Sequence, residues 1–144
     1  MTAAPRPPGP RWEDVVEGEE LKGFSLDLTA TRMVAQVSGT QDFYPVHHDR
    51  EFARQAGHRD IFLNTAFIRA CLCRVATDWM GADGFLASLG FQMRRPNFAG
   101  EAITARGRVR KKGADGRVDL EIWIEIAGEV TVPGTATVIL PRRP

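Results

Sequence analysis

The stretch "VDLEIWIEI", Val118–Ile126, constrains the fold of this chain more than any other. Val118, Leu120, Ile122, Ile124 and Ile126 fall on alternate positions and share one face of an extended strand, while Asp119, Glu121, Trp123 and Glu125 share the other. Such a strand needs an apolar layer on one side and water or a partner on the other, as in an antiparallel sheet covered on one face. Trp123, an aromatic on the polar side, is a candidate for a subunit interface. "FLASLGFQMRR", "EAITARGRVRKK" and "VTVPGTATVIL" are further strand-like runs, and Asn97-Phe98-Ala99-Gly100, Gly113-Ala114-Asp115-Gly116 and the Gly128 region punctuate the four.

The covering layer is written in "NTAFIRACLCRVATDWMG". Asn64 or Thr65 can cap a helix here, Gly81 can stop it, and no Pro or Gly lies between. Phe67, Cys71, Val75 and Trp79 recur every fourth residue, with Ile68, Leu72, Ala76 and Met80 one step round. Apolar character covers most of the circumference, which predicts a helix buried on several sides. The fold class expected is therefore α+β, a single domain with a curled antiparallel β-sheet wrapped around a central helix. Such a sheet leaves an edge strand exposed, and edge pairing in a dimer is the usual remedy.

Ahead of this helix, Phe24, Leu26 and Leu28 alternate with polar residues and suggest a short strand; Thr31–Val37 fits strand or helix equally. "HDREFARQAG" reads as a short helix capped by Asp49 and ended by Gly57, with Phe52 and Ala53 inward. Residues 1–14 are Pro-rich and predict a disordered or polyproline-like arm, leaving 15–144 as the one domain. The arm has no apolar core of a secretory signal, and no run approaches the roughly 20 residues of a membrane span. Nineteen Lys+Arg against eighteen Asp+Glu give a net charge of +1, with no basic excess to hold nucleic acid. Cys71 and Cys73 would point about 200° apart on a helix, wrong for a disulfide. They read as buried thiols of a reducing, cytoplasmic protein. Three histidines at this spacing offer no ligand set, so neither a metal nor another cofactor is expected.

The loop "DFYPVHHD", residues 42–49, is the chemically suggestive stretch. Asp42 and His47 are five residues apart and would diverge on an ideal helix or strand. A turn can bring them together, and Tyr44-Pro45 offers one because proline fixes φ. The residues alone leave two readings, a capped solvated turn and an acid/base pair. His48 points away from His47 in any extended stretch, and Asp49 serves as a helix cap.

"SGTQDFYPVHHDREFARQAG" resembles the hydratase 2 motif of the MaoC-like enoyl-CoA hydratases, G-D-x-N-P-[LIV]-H-x-D, with Asp42, Pro45, His47, Asp49 and Ala53 in register. "FQMRRPNFAGEAITARGRV" is similar to that family's F-x-x-P-V-x-x-G-D-x-V-T strand pair, so the resemblance runs from about Gly18 to Leu140. The "VHHD", "DIF-N" and "TDW-G" signatures look like the small catalytic subunit of actinobacterial hydratases acting on steroid side-chain CoA esters. Tyr44 stands where the motif has Asn, Gln41 where it has Gly, and Asn64 where the helix start usually has Gly, preceded by Leu63 instead of His.

The resemblance implies a hotdog fold and hydration of a trans-2-enoyl-CoA to a 3-hydroxyacyl-CoA, with a bulky steroid-type acyl group. Its implied partner is a second MaoC-like chain lacking the acid/base pair, with a homodimer as the other arrangement. Asp42 and His47 then become the catalytic pair gripping the attacking water, Asp42 as base and His47 delivering the proton to C2. Backbone N–H groups around Asn64 and Thr65 would stabilise charge on the thioester oxygen. Tyr44 and His48 are weaker substrate contacts. Arg94 and Arg95, with Arg108, Arg110, Lys111 and Lys112, are candidates for the CoA phosphates. A non-catalytic partner subunit and the reverse, dehydrating direction are the alternatives. A hotdog thioesterase would place its carboxylate on the central helix, where only Asp78, near the far end, is available.

Overall fold

A computed structural model describes residues 6–144. In chain order the elements are β1 (Glu20–Asp27), α1 (Ala30–Thr40), α2 (Arg50–Gln55), α3 (Thr65–Met80), β2 (Phe85–Phe91), β3 (Ala102–Lys112), β4 (Arg117–Ile126) and β5 (Glu129–Ile139). Single-turn 3-10 helices stand at Trp12–Asp14 and Pro45–His47. The five strands form one antiparallel sheet in the order β1-β3-β4-β5-β2.

The alternation of β4 has the predicted consequence. Val118, Leu120, Ile122 and Ile124 are buried under the helical layer, and Asp119, Glu121 and Trp123 are half-buried on the other face. On β3 the buried set is Ile103, Ala105, Gly107 and Val109. α3 lies against this face and touches all five strands. Its buried residues, Ile68, Cys71, Leu72, Val75, Ala76 and Met80, form one stripe at helical spacing.

The expected curled sheet wrapped around the helix is not what forms. The sheet is open, with β1 and β2 as two separate edges, and α3 rests on one face of it. Two physical reasons account for the difference. Thr65, Ala66, Arg69, Ala70, Arg74 and Asp78 are exposed on the helix side away from the sheet, so its alanines counted as apolar without being enclosed. Five strands also fall well short of the roughly eight at which a small barrel closes. The architecture is α+β and hotdog-like, with an open antiparallel sheet.

The segment Thr31–Val37, ambiguous by periodicity, is helical. Thr29 accepts the Arg32 N–H at 3.2 Å as N-cap of α1, and Met33, Gln36 and Val37 are its buried residues. Of the N-terminal arm, residues 1–5 lie outside the described residues. Further along it, the Pro7 carbonyl accepts the Ala82 N–H at 3.1 Å and the Trp12 N–H donates to Pro141 O at 3.0 Å. The Trp12 indole donates to Gly113 O at 3.1 Å. Among the described residues no helix is long and apolar enough to cross a membrane.

α3 and β3 pack closely at Gly107. A Cβ there would lie 3.0 Å from Val75 Cγ1 and 3.2 Å from both Ile122 Cγ2 and Leu21 Cδ2. Gly107→Val should therefore destabilise the fold by about 1–3 kcal/mol through overpacking, measured as a lowered urea midpoint with unchanged m-value. The same enclosure governs Cys71: burial, outweighing the nearby Arg74 and Arg32 charges, pushes its thiol up to about 11. Iodoacetamide at pH 8 should leave Cys71 unmodified in the folded protein and label it after denaturation, as read by peptide mass.

Candidate active site

Asp42 and His47 open and close one turn. α1 ends at Thr40, and Gln41 takes φ +57°, the left-handed conformation that turns the chain out of the helix. That conformation costs a residue with a Cβ about 1–2 kcal/mol, which fits the glycine that the hydratase 2 motif has here. Pro45 then begins the 3-10 turn, with the His47 N–H donating to Tyr44 O at 3.1 Å and the Asp49 N–H to Pro45 O at 2.8 Å. Asp49 caps α2 by accepting the Phe52 N–H at 3.0 Å.

This turn sets His47 Nε2 3.5 Å from Asp42 Oδ2. His47 is buried, at 7% exposure, whereas the Asp42 side chain is 40% exposed, so the pair is walled on the imidazole side and open on the carboxylate side. His47 Nδ1 lies 2.9 Å from the Phe62 carbonyl oxygen. A carbonyl can only accept, so Nδ1 carries a proton in either charge state, and Nε2 is the nitrogen that gains or loses one beside Asp42. Phe62 and Tyr44 both stand edge-on to the imidazole ring, at 5.1 and 6.3 Å between centroids.

The other predicted residues are distributed unevenly. Tyr44 is exposed and stacks edge-on with Phe52 at 6.0 Å, so Phe52, expected inward, borders the loop instead. His48 is exposed with Nε2 3.0 Å from Phe43 O, bound to the loop's own backbone. Asn64 is buried and is the N-cap of α3: its Oδ1 accepts the Phe67 N–H at 2.8 Å and its Nδ2 donates to Thr40 Oγ1 at 2.6 Å. Its backbone N–H is already taken, donating to Gln36 Oε1 at 2.9 Å. The amides of Thr65 and Ala66, in the first turn of the helix, have no acceptor among the described residues.

Arg94 and Arg95 are not gathered into this site. Arg95 donates to Pro96 O at 2.9 Å and is paired with Glu101 at 3.2 Å. Arg94 lines a cleft of about 820 Å³ with Arg108, Arg110 and Glu121, on the sheet face turned away from α3, and neither Asp42 nor His47 borders it. Among the described residues no three His, Cys, Asp or Glu side chains gather as metal ligands.

Residues the sequence reading missed are Gln36, Thr40 and Phe62, which tie the turn to the start of α3. Gln36 left a trace in the sequence: it is the polar member of the buried set Met33, Gln36 and Val37 on a helix whose type was undecided.

Known proteins can be set beside this geometry. No family model matches the chain. The chain is 32% identical over 130 residues to the 3-oxo-4,17-pregnadiene-20-carboxyl-CoA hydratase beta subunit of Mycobacterium tuberculosis, covering 89% of this chain and 97% of that one. A chain of the ChsH1-ChsH2 complex from the same organism superposes with a TM-score of 0.81 at 29% identity, covering 87% of this chain and 98% of that one. The R-hydratase PhaJ1 of Pseudomonas aeruginosa shares the fold, with a TM-score of 0.82 at 18% identity over 92% of this chain and 86% of that one. Fold and sequence likeness together define an enzyme of the hydro-lyase class built on a hotdog-like domain. Within that class, the chain belongs to the MaoC-like family of enoyl-CoA hydratases and dehydratases, which act on CoA thioesters.

The cap at Asn64 can be tested without reference to turnover. Asn64→Ala removes the acceptor for the Phe67 N–H and should cost about 1–2 kcal/mol, seen as a lowered thermal midpoint. Asn64→Gly should cost less, since glycine is tolerated at an N-cap.

Proposed function

We propose that this chain catalyses the addition of water across the double bond of a trans-2-enoyl-CoA thioester, with Asp42 and His47 as its acid/base pair. The observation that carries this reading is the pairing of Asp42 Oδ2 with His47 Nε2 at 3.5 Å, with Nδ1 held by the Phe62 carbonyl. Water lies between the two side chains and the substrate. Asp42 takes one of its protons as the oxygen attacks C3, and the displaced π electrons move onto the thioester oxygen as an enolate. His47 gives its Nε2 proton to C2, and the proton on Asp42 returns to Nε2. The net change is OH on C3 and H on C2, with both side chains restored.

The enolate oxygen needs preorganised donors, and the free amides of Thr65 and Ala66 at the positive end of α3 suit it. Asn64 contributes by aiming that helix start, since its own N–H is occupied. A bulky, steroid-type acyl group is supported by the 32% identity to the pregnadiene-carboxyl-CoA hydratase subunit. Exposed Phe43 and Tyr44, flanking the turn, offer it apolar surface.

The same pair serves the reverse reaction, because every step retraces. Dehydration of a 3-hydroxyacyl-CoA is therefore an equal expectation of this geometry. A second reading, assembly with another MaoC-like chain, is favoured by a different observation. β2, "FLASLGF", is an edge strand without a charged side chain, whereas the other edge, β1, carries Glu20, Lys22 and Asp27. Uncharged edges are the ones that proteins cover, and the relative is itself a beta subunit. In that assembly this chain supplies the acid/base pair. The alternative is that it supplies only support.

The deciding assay follows the enoyl-thioester absorbance with crotonyl-CoA and with a polycyclic enoyl-CoA, and with the 3-hydroxyacyl-CoA in reverse. It is run for the chain alone and with a MaoC-like partner chain. Asp42→Asn and His47→Ala should each lower kcat by about 10²-fold or more in both directions. Turnover indifferent to both substitutions would leave this chain a non-catalytic partner.

A further inference from the structure

Gln36 is buried in α1, at 2% exposure, and both ends of its amide are engaged. Nε2 donates to the Phe62 carbonyl at 3.2 Å and faces Met33 Sδ at 3.6 Å, while Oε1 accepts the Asn64 N–H at 2.9 Å. The orientation of the amide is dictated by its partners, since an N–H can be met only by the oxygen and a carbonyl only by the nitrogen. The same Phe62 carbonyl receives His47 Nδ1 at 2.9 Å. A second path closes the circuit: the Thr40 hydroxyl donates to Gln36 O at 2.6 Å and accepts from Asn64 Nδ2 at 2.6 Å. Thr40 stands two residues before Asp42.

We propose that Gln36 is a positioning residue for the reaction, holding the Phe62 carbonyl where it fixes the His47 Nδ1 proton and, with the other end of the same amide, setting the entry of α3. This rests on the reading of Asp42 and His47 as the acid/base pair. Phe62 belongs to no helix or strand beyond an isolated bridge to Phe98, in which the Leu63 N–H donates to Asn97 O at 3.0 Å. The Phe62 carbonyl itself points the other way and is met only by side chains among the described residues, Gln36 Nε2 and His47 Nδ1. A side chain needed only to fill this face of α1 would be apolar, as its neighbours Met33 and Val37 are; a buried amide is retained where both its ends are used. The carbonyl that orients an imidazole decides which nitrogen is left to exchange protons, so loosening it alters the tautomer as well as the ring position.

Gln36→Glu tests this inside one protein. Protonated, the introduced carboxyl copies the amide, its hydroxyl donating to Phe62 O and its carbonyl accepting from Asn64. Ionised, it turns two acceptors toward a carbonyl. Burial raises the pKa of such a carboxyl, so wild-type-like turnover holds at low pH and is lost as pH rises through that pKa. Above it, kcat should fall by about tenfold or more, the scale of outer partners of a functional histidine, with KM changed by less than about twofold. None of Gln36's own hydrogen-bond partners titrates. His47 and His58 both pack against Phe62, and the ionised carboxyl of Gln36→Glu also acts on them electrostatically; Gln36→Met, which adds no charge, separates that effect from the loss of the donor.

Gln36→Met, which cannot donate at any pH, should show the lowered kcat throughout. With the ring neutral, the imidazole ¹⁵N shifts of His47 should pass from the single Nδ1-protonated tautomer to a mixture of tautomers. All variants are assayed in whichever assembly is active, and circular dichroism checks that they are folded. Should Gln36→Met fail to fold, Gln36→Glu compared at low and high pH carries the test alone. If Asp42→Asn and His47→Ala abolish turnover while folded Gln36 variants keep the wild-type kcat, pH profile and His47 tautomer, Gln36 is structural only and the proposal is wrong. If Asp42→Asn and His47→Ala turn over normally, the underlying acid/base reading fails first, a result distinct from the other.

Discussion

Val75 of α3 comes so near β3 that a Cβ on residue 107 would stand 3.0 Å from its Cγ1, tighter than ordinary packing. That contact belongs to a continuous layer in which Ile68, Leu72, Val75 and Ala76 meet Ile103, Val118, Leu120, Ile122 and Val138, all essentially excluded from water. Interiors packed to this density resist small displacements, so the position of α3 on the sheet is fixed by the apolar layer. The candidate site is anchored at the start of that helix. Asn64 is its cap, Phe62 precedes it by two residues, and Thr65 and Ala66 are its first free amides. The sheet and helix supply the frame, and the loop from Gln41 to Asp49 brings the titratable groups to it.

The loop is held by polar contacts that are largely, though not wholly, shielded from water. His47 and Asn64 are buried, and the groups they share, the Phe62 carbonyl, the Gln36 amide and the Thr40 hydroxyl, each make a second hydrogen bond. Satisfied networks of this kind are stiff in a low-dielectric interior, whereas one member left unpaired costs its full desolvation. The Asp42 carboxylate, by contrast, is open on one side: among the described residues it has its 3.5 Å pairing with His47 Nε2 and a long 3.4 Å contact from the Tyr44 N–H. The imidazole is held on two sides while the carboxylate keeps free lone pairs toward solvent, the side from which, on the proposed mechanism, water and substrate arrive.

Elements governed by local rules were legible in the sequence. The two-residue alternation of β4, the Asp49 and Asn64 caps and the Gly81 stop each depend on residues within one turn or one strand. The convergence of Asp42 and His47 was legible as a requirement, because a five-residue spacing needs a turn and Pro45 supplied it. What could not be read depended on distant partners. The openness of the sheet turned on whether Ala66 and Ala70 would be enclosed, and an alanine carries the same letter in either case. Gln36 meets Phe62 and Asn64 across 26 and 28 residues, a separation over which no periodicity speaks. The separation of Arg94 and Arg95 from the turn was invisible for the same reason, since Glu101 and the face of the sheet claim them.

The asparagine at position 64 follows from this arrangement. Glycine at a helix start is demanded only where φ is positive or where another group must approach the α-carbon closely. Asn64 has φ −82° and ψ 162°, an extended conformation open to any residue. With a side chain present, its amide reaches Thr40 on one side and the Phe67 N–H on the other, tying α1 to α3 at the level of the turn. The backbone N–H of residue 64 is bound by Gln36, so on the proposed mechanism the donor to the thioester oxygen moves one residue along, to Thr65. Asn64 and Gln36 are then complementary parts of one device: the asparagine takes over the cap, and the glutamine absorbs the N–H that the cap leaves behind. A glycine at 64 without a change at 36 would keep that N–H engaged, and a change at 36 alone would leave it buried without an acceptor. The two positions should therefore couple in a double-mutant cycle of stability, whereas Gln36 and Asp49, which share no partner, should add.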